Sequence, residues 1–204
     1  MSNLSIIISA PSGCGKSTII KSLLEDGKTY EYVISTTTRK PRKGEIDGRE
    51  YYFSDVESFK KMIDEDGFLE WAQVHQNYYG TSKKEIDRIK ALGKIPIFDI
   101  DTQGAVQLRP KISDGAFIFI LPPTLDELRN RLNKRGTETG EQVAVRMKNA
   151  EIEISQYRHY DFVVLNDDLQ TAIDDIKSII RSELHRKERM MSKIKTLLGD
   201  KNDS

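Results

Sequence analysis

A glycine-rich loop close to the start of the chain has the residue types of a phosphate-binding site. Residues 10–17 read Ala-Pro-Ser-Gly-Cys-Gly-Lys-Ser, which has the spacing of a Walker A loop. Polyphosphate is multiply anionic, so inward-pointing backbone N–H groups at a helix N-terminus would bind it. Lys16 would reach the outer phosphates, and the hydroxyl of Ser17 would bind Mg²⁺, which prefers oxygen ligands. The loop therefore predicts a site for ATP with magnesium.

The loop departs from the usual pattern at its first residue, where Ala10 stands in place of glycine. Alanine adds one methyl group, so the loop is expected to keep its shape if Ala10 has an ordinary negative φ. A chance glycine turn before a helix is the alternative, but the apolar run before the loop and the helical spacing after it favour a phosphate loop. The residues expected to contact ATP here are Ala10, Pro11, Ser12, Gly13, Cys14, Gly15, Lys16, Ser17 and Thr18.

A second cluster of cationic and hydroxyl side chains follows in residues 35–45. Arg39 and Arg42 lie three residues apart beside a run of threonines, and Tyr51 and Tyr79 follow further along the chain. Such a cluster suits a second phosphate group. A solvated basic turn is the alternative for the arginines, and packing is the alternative for the tyrosines. One tyrosine of each adjacent pair suffices for a site, because consecutive strand residues face opposite sides.

Two carboxylates mark the end of an apolar run in the middle of the chain. Asp99 and Asp101 are two residues apart, so on a strand their side chains would share one face. They lie at the carboxyl end of the predicted strand, which is the edge where α/β sheets bind ligands. A helix cap or a surface turn is the alternative interpretation.

Short apolar segments separated by helical patterns indicate an α/β fold. Leu4–Ser9 predicts the strand before the glycine loop. Three further runs lack polar alternation, which is typical of strands covered on both faces of a parallel sheet: residues 95–100, 116–121 and 162–165. Helices are predicted at residues 16–26, 124–134, 141–156 and 169–184. The expected fold class is a P-loop core, in which helices flank a parallel sheet with right-handed crossovers.

Two insertions interrupt this alternation of strands and helices. Residues 34–82 contain short, aromatic, β-prone segments separated by glycines, and they predict a mainly antiparallel lobe. Residues 124–155 are helical and arginine-rich, and they predict a lid. The core is then formed by residues 1–33, 83–123 and 156–204. Beyond residue 185, Met190, Ile194 and Leu197 are at roughly helical spacing, and a packed or frayed helix is preferred there over a subunit contact.

Composition excludes several other classes of function. Lysine plus arginine and aspartate plus glutamate each total 32, so no bulk charge favours nucleic acid or an anionic membrane. The longest apolar runs are far shorter than the roughly 20 residues that span a bilayer. No secretory signal is visible. Cys14 is the single cysteine, which rules out an internal disulfide and fits a reducing cytoplasm best.

Several motifs in one order make the chain resemble the guanylate kinase family. The resemblance spans residues 4–185 as one domain. Beyond the glycine loop and the segment from 35 to 45, it rests on residues 47–53, 68–72, 77–80, 99–101 and 135–139. It implies transfer of the γ-phosphoryl group of ATP to GMP, and to dGMP, with Mg²⁺ as the cofactor.

The resemblance also implies roles for individual side chains. Arg39, Arg42, Tyr51 and Tyr79 would hold the GMP phosphate, with Glu45 orienting one of the arginines. Ser35, Glu70 and Thr81 would recognise guanine, because one carboxylate can accept from both N1–H and the 2-amino group. Asp99 and Asp101 would contact GMP or the hydration shell of magnesium, with their roles undivided. Asn166 would lie on the adenine side of ATP.

Three arginines of the predicted lid would complete the catalytic set with Lys16 and Arg39. Arg131 and Arg135 are four residues apart on a predicted helix, and Arg146 lies on the next helix. Lid closure would bring them to the migrating phosphoryl group, whose transfer depends on positive charge and in-line positioning. No general base is required, because the acceptor is already a phosphate oxyanion.

Two other functions stay open from the sequence. One is a P-loop kinase for a different phosphorylated acceptor, against which Glu70 and Thr81 argue. The other is a non-catalytic interaction module that resembles guanylate kinases, against which Lys16, Ser17 and the lid arginines argue.

Overall fold

A five-stranded parallel sheet forms the centre of the computed structural model, which describes residues 4–134 and 140–199. Its strand order is β2-β7-β1-β8-β9. The strands are β1 (Ser5–Ser9), β2 (Tyr30–Tyr32), β7 (Ile95–Asp99), β8 (Gly115–Leu121) and β9 (Phe162–Leu165). Helices α1 (Lys16–Leu24), α3 (Lys83–Ala91), α4 (Thr102–Leu108) and α7 (Leu169–Leu184) flank it. The expected α/β core is confirmed.

The two faces of the sheet bury separate apolar layers. Ile6 and Ile8 of β1 point into a layer shared with α1 and α7, whereas Ile7 between them points into a layer shared with α3 and α4. All three side chains are fully buried. The continuous apolar character of β1 therefore reflects burial on both sides.

Strand β9 corrects one expectation from the sequence. Residues 162–165 were expected to be covered on both faces, but Val163 and Leu165 are 46% and 57% exposed. Helix α7 packs on the face that carries Phe162 and Val164. The expectation was wrong because β9 forms the edge of the sheet, and an apolar run does not reveal the position of its strand in the sheet.

A second sheet, of order β4-β3-β6-β5, forms the inserted lobe. Its strands are β3 (Thr36–Thr37), β4 (Tyr52–Phe53), β5 (Phe68–Val74) and β6 (Asn77–Ser82). The β3–β6 and β5–β6 pairs are antiparallel, and the β3–β4 pair is parallel. Helix α2 (Val56–Asp64), which the sequence analysis did not predict, packs Phe59 against Phe68 and Tyr78.

Three helices that were not predicted from the sequence, α2, α3 and α4, each have a side-chain cap at the N-terminus. Asp55 accepts a hydrogen bond from Ser58 N at the start of α2, and Ser82 accepts one from Glu85 N at the start of α3. The Ser-x-x-Glu spacing of residues 82–85 was a readable capping signal. Asp101 caps α4 in the same way, so the helix-cap alternative holds for this residue.

The lid region contains α5 (Leu125–Lys134) and α6 (Gly140–Ile154), which leads into a 3₁₀ turn at Ser155–His159. The chain continues after α7 into α8 (Lys187–Leu197). Arg189 anchors α8 through ion pairs of 2.7 Å with Glu183 and with Asp114, whereas Met191 and Leu197 are exposed. In the described parts of the chain, no helix is both long and apolar enough to span a membrane.

Candidate active site

The phosphate loop connects the carboxyl end of β1 to the N-terminus of α1. Gly13 and Gly15 have φ values of +96° and +85°, a region that side chains with a Cβ rarely adopt. A Cβ on Gly13 would also lie 3.0 Å from Leu132 of α5, and one on Gly15 would collide with Asn166. Ala10 is not among the described non-glycine residues with positive φ, so it meets the condition set for replacing the usual glycine.

Lys16 bridges the phosphate loop to the end of β7. Its Nζ lies 2.7 Å from Asp99 Oδ1 and donates a 2.9 Å hydrogen bond to the carbonyl of Ile100. The lysine and aspartate side chains are 20% and 21% exposed, so the pair is only partly shielded from water. The parallel pairing of β1 with β7 creates this contact, because it places residues 16 and 99 at the same edge of the sheet.

Asn166 holds the phosphate loop from the opposite side. Its side chain is buried, and Nδ2 donates a 2.8 Å hydrogen bond to the carbonyl of Cys14. The residue follows β9, which reaches this edge through its pairing with β8. Its described contact is thus with the backbone of the loop, and its expected place on the adenine side of ATP stays a prediction.

Arg39, Glu45, Tyr51 and Tyr79 lie together in the inserted lobe. Arg39 Nη2 donates a 2.9 Å hydrogen bond to Glu45 Oε1, and its guanidinium lies 5.4 Å from the ring centre of Tyr51. The rings of Tyr51 and Tyr79 meet edge to face at 6.0 Å. Arg42 joins the group through its backbone N–H, which donates to Glu45 Oε2 at 2.7 Å. The glutamate thus contacts the side chain of Arg39 and the backbone of Arg42, and its expected role in orienting one arginine for GMP stays a prediction.

Neighbouring tyrosines divide between this group and the packing of the lobe. Tyr78 stacks on Phe59, whereas Tyr79 faces Tyr51. Tyr52 donates to Glu85 at the junction with the core. The expected division of each tyrosine pair between two faces is confirmed.

Glu70 and Thr81 form a buried polar pair on β5 and β6. The hydroxyl of Thr81 donates a 2.7 Å hydrogen bond to Glu70 Oε1. Burial raises the pKa of Glu70, the hydrogen bond from Thr81 opposes that rise, and the charge of Asp101 adds to it. Ser35 lies at the start of β3, where its carbonyl accepts a 2.9 Å hydrogen bond from Tyr52 N.

The two aspartates at the carboxyl end of β7 have different partners. Asp99 pairs with Lys16, whereas Asp101 Oδ1 accepts a 2.7 Å hydrogen bond from Gly104 N and caps α4. A Cβ on Gly104 would lie 3.4 Å from Asp101 Oδ1 and 3.7 Å from Glu70 Oε2, so the two carboxylates are near each other. Asp101 also lines a cavity together with Glu153 of α6.

The two lid helices contact the phosphate loop. Leu128 and Leu132 of α5 lie beside Gly13, and Arg146 Nη1 lies 3.4 Å from Ser12 Oγ. Arg131 pairs with Glu127 through a 2.9 Å hydrogen bond. Arg135, which the sequence analysis placed in the catalytic set and at ATP, lies outside the described residues.

Comparison with known proteins adds evidence that is independent of this geometry. The family model described as "Guanylate kinase" matches residues 2–183. The chain belongs to the guanylate kinase family. Among guanylate kinases, it is 48% identical to that of Caldanaerobacter subterraneus subsp. tengcongensis, over 91% of this chain and 90% of the relative. It is 51% identical to that of Francisella tularensis subsp. tularensis, over 85% of this chain and 94% of the relative.

A solved structure agrees with the family assignment. The crystal structure of guanylate kinase from Anaplasma phagocytophilum superposes with a TM-score of 0.70 at 31% sequence identity. The match covers 94% of this chain and 95% of that structure. The P-loop guanylate kinase fold predicted from the sequence is thus confirmed.

Sequence reasoning missed two polar residues near the site of this guanylate kinase family member. Tyr32 on β2 is half-buried, and burial, together with the charge of Asp99, raises the pKa of its hydroxyl. Glu153 on α6 is near Ser12 and Lys16, and burial raises its pKa while hydrogen bonding from the Ser12 backbone opposes the rise. Neither residue lies in a motif of the family as quoted from the sequence. Glu153 follows Arg146 by seven residues, so the two share one face of the helix, and this spacing was the only sequence signal for Glu153.

Proposed function

We propose that this chain transfers the γ-phosphoryl group of ATP to GMP, giving ADP and GDP. Family membership over residues 2–183 supports the activity, as do close relatives named guanylate kinase. The observation that carries the proposal is a pair of cationic groups, one at the phosphate loop and one in the lobe. Lys16 contacts Asp99 at the end of β7, and Arg39 lies over the Tyr51 ring and pairs with Glu45. These two groups are the expected sites for the phosphates of ATP and of GMP.

The guanine specificity rests on the buried pair of Glu70 and Thr81. With one oxygen bound to Thr81, the ionised carboxylate retains capacity to accept from the N1–H and 2-amino groups of guanine. Adenine lacks this pair of donors, so it would leave a buried charge unsatisfied. A site built on such bonds discriminates by about 10⁴ to 10⁵ against an analogue that lacks them.

The phosphoryl transfer itself needs positive charge and alignment more than acid–base chemistry. Lys16 and the phosphate-loop amides would hold the ATP phosphates, and Arg39 and Arg42 would hold GMP. Arg131, Arg135 and Arg146 would surround the migrating group when the lid of residues 124–155 closes. The lobe of residues 34–82 would move toward the core to exclude water.

The residues near the phosphate loop fit magnesium. Ser17 offers an exposed hydroxyl in the first turn of α1, and Asp99 offers a carboxylate that would contact the ion through water. No group of three or more histidine, cysteine, aspartate or glutamate side chains gathers for a metal within residues 4–134 and 140–199. Mg²⁺ usually takes few protein ligands and completes its shell with phosphates and water. The ion would neutralise charge that develops on the phosphates.

A panel of acceptors tests this function directly. With ATP and Mg²⁺, GMP and dGMP are expected to be phosphorylated, whereas AMP, UMP and ribose bisphosphate are expected to react far more slowly. Chelation by EDTA is expected to stop the reaction. Preference for any of the other acceptors over GMP would overturn the proposal, and absence of ATP binding would favour a non-catalytic module. A role in purine nucleotide recycling and a cytoplasmic location are further proposals that follow from the same activity.

A further inference from the structure

A buried carboxylate joins the inserted lobe to the core outside the site described above. Glu85, in the first turn of α3, is 3% exposed. Its Oε1 accepts hydrogen bonds from Ile34 N at 3.1 Å and from Arg88 Nη2 at 2.9 Å. Its Oε2 accepts from the Tyr52 hydroxyl at 3.0 Å and from Arg88 Nε at 2.9 Å. The buried charge is therefore paired with a guanidinium and fully hydrogen-bonded.

The partners of Glu85 come from both connections between lobe and core. Ile34 precedes β3, where the chain enters the lobe. Ser82 ends β6, where the chain leaves it, and its hydroxyl accepts a 3.2 Å hydrogen bond from Glu85 N. Arg88 extends the link to Glu31 of β2 in the core sheet through an ion pair of 3.7 Å. Glu85 thus contacts the entry of the lobe through its side chain and the exit through its backbone N–H.

Tyr52 connects this junction to the cluster of Arg39, Glu45, Tyr51 and Tyr79 in the lobe. It is the first residue of β4, and the residue before it, Tyr51, contacts Arg39 and Tyr79. Burial and the hydrogen bond to Glu85 both raise the pKa of Tyr52, so its hydroxyl remains a donor at neutral pH. A shift of Tyr52 would displace Tyr51, because only one peptide unit separates their Cα atoms.

We propose that Glu85 is a positioning residue that sets the affinity for GMP by fixing β4, and with it Tyr51, through the hydroxyl of Tyr52. This inference rests on the proposed function. If the contacts of Glu85 with Ile34 and Tyr52 had no effect on the lobe, its buried ion pair with Arg88 would contribute only to stability. A positioning role would change the KM for GMP more than the KM for ATP, because Tyr51 lies on the lobe and the phosphate loop lies on the core. A role in stability alone would not separate the two KM values.

Tyr52→Phe tests the proposal, because it removes one hydroxyl and keeps the ring. The KM for GMP is expected to rise about 3- to 10-fold, as for the loss of one hydrogen bond, whereas the KM for ATP stays within twofold of the unchanged protein. Tyr157→Phe is the matched control, because that tyrosine is 52% exposed on the 3₁₀ turn. It is expected to leave both KM values unchanged.

A double-mutant cycle checks that Tyr52 acts through Glu85. If it does, Glu85→Gln raises the KM for GMP, and adding Tyr52→Phe to it has less effect than in the unchanged protein. Equal increases in the KM for GMP and for ATP, or an unchanged KM for GMP in Tyr52→Phe, would overturn the inference. Failure of the unchanged protein to phosphorylate GMP would instead overturn the proposed function, so the two failures are distinguishable.

Discussion

The ammonium group of Lys16 lies 2.7 Å from a carboxylate oxygen of Asp99, across the edge of the central sheet. This contact holds the cation of the phosphate loop beside the carboxyl end of β7. Bound polyphosphate would compete with Asp99 for the same ammonium group. The ion pair therefore keeps the ammonium group of Lys16 at the carboxyl end of β7, and a bound phosphate can replace Asp99 as its partner.

Lys16→Ala is expected to abolish measurable transfer, a loss of at least about 10³-fold in kcat. The protein is expected to stay folded, because the ion pair with Asp99 is partly exposed and contributes little stability. A coupled assay for ADP and a thermal melt check the two statements. Lys21→Ala, an exposed position on the same helix, serves as the control and should retain activity. Retained transfer in Lys16→Ala would contradict the assignment.

Glu70 is expected to give the binding of GMP a pH dependence. In the proposed function its ionised form would accept from guanine, and burial raises the pKa of this carboxyl above the ordinary 4.5. As pH falls through that raised pKa, the carboxylate protonates and the KM for GMP is expected to rise, while the KM for ATP follows a different profile. Steady-state kinetics across mildly acidic pH measure this. Identical profiles for both substrates would contradict it.

The same burial predicts a gain in stability when the charge of Glu70 is removed. A folded-state pKa above the unfolded value means that the folded form binds the proton more tightly. Stability from this group is therefore present at low pH and is lost as pH rises through the folded pKa. Glu70→Gln keeps an acceptor for Thr81, so its melting temperature at neutral pH should equal or exceed the original. Its KM for GMP should rise about 10- to 100-fold.

Cys14 is expected to be chemically inert in the folded protein. Burial raises the pKa of its thiol to about 12 from an ordinary 9.0, although nearby Arg131 opposes the rise. At pH 8 about one thiol in 10⁴ is then ionised, and the thiolate is the reactive form. A disulfide reagent should label the urea-unfolded chain rapidly and the native chain hardly at all. Rapid native labelling would show that the loop opens or that the thiol is ionised.

Arg189 is expected to matter for stability and not for catalysis. Its ion pair with Glu183 is almost completely shielded from water, because the Arg189 and Glu183 side chains are only 8% and 5% exposed. Arg189→Ala leaves the buried Glu183 with Arg186 as its remaining cationic partner, so the free energy of unfolding in urea should fall by about 1.5 to 3 kcal/mol, as for the loss of a hydrogen bond to a charged group. The kcat measured below the unfolding transition should not change. Lys193→Ala, an exposed position on the same helix, is the comparison, and an equal loss there would refute the role of the ion pair.

Local patterns were enough to predict the core of the fold. The buried strands β1, β7 and β8 and the helix after the phosphate loop were placed within one or two residues of their observed bounds. Their signals lie within short windows: apolar runs for the strands, glycines for the loop and apolar spacing for the helix. The lobe was recognised by the same means, although β3 and β4 are shorter than the β-prone segments at residues 34–38 and 51–53 that indicated them.

The remainder depends on contacts between distant residues. Val163 is exposed because β9 is the edge strand, and that position is a property of the whole sheet. Glu85 is separated from Ile34 by 51 residues, and nothing within either segment signals their hydrogen bond. The cap at Asp101 was one of two interpretations of that residue, and the sequence alone did not decide between them.

The hydrogen bond from Asn166 to Cys14 joins residues 152 positions apart. During synthesis, a chain whose last strand has not yet emerged from the ribosome lacks this donor, however well its first half has folded. We expect the phosphate loop to bind ATP with full affinity only after Asn166 has been synthesised and has donated its hydrogen bond to Cys14. Incomplete chains would then be spared futile hydrolysis of the nucleotide.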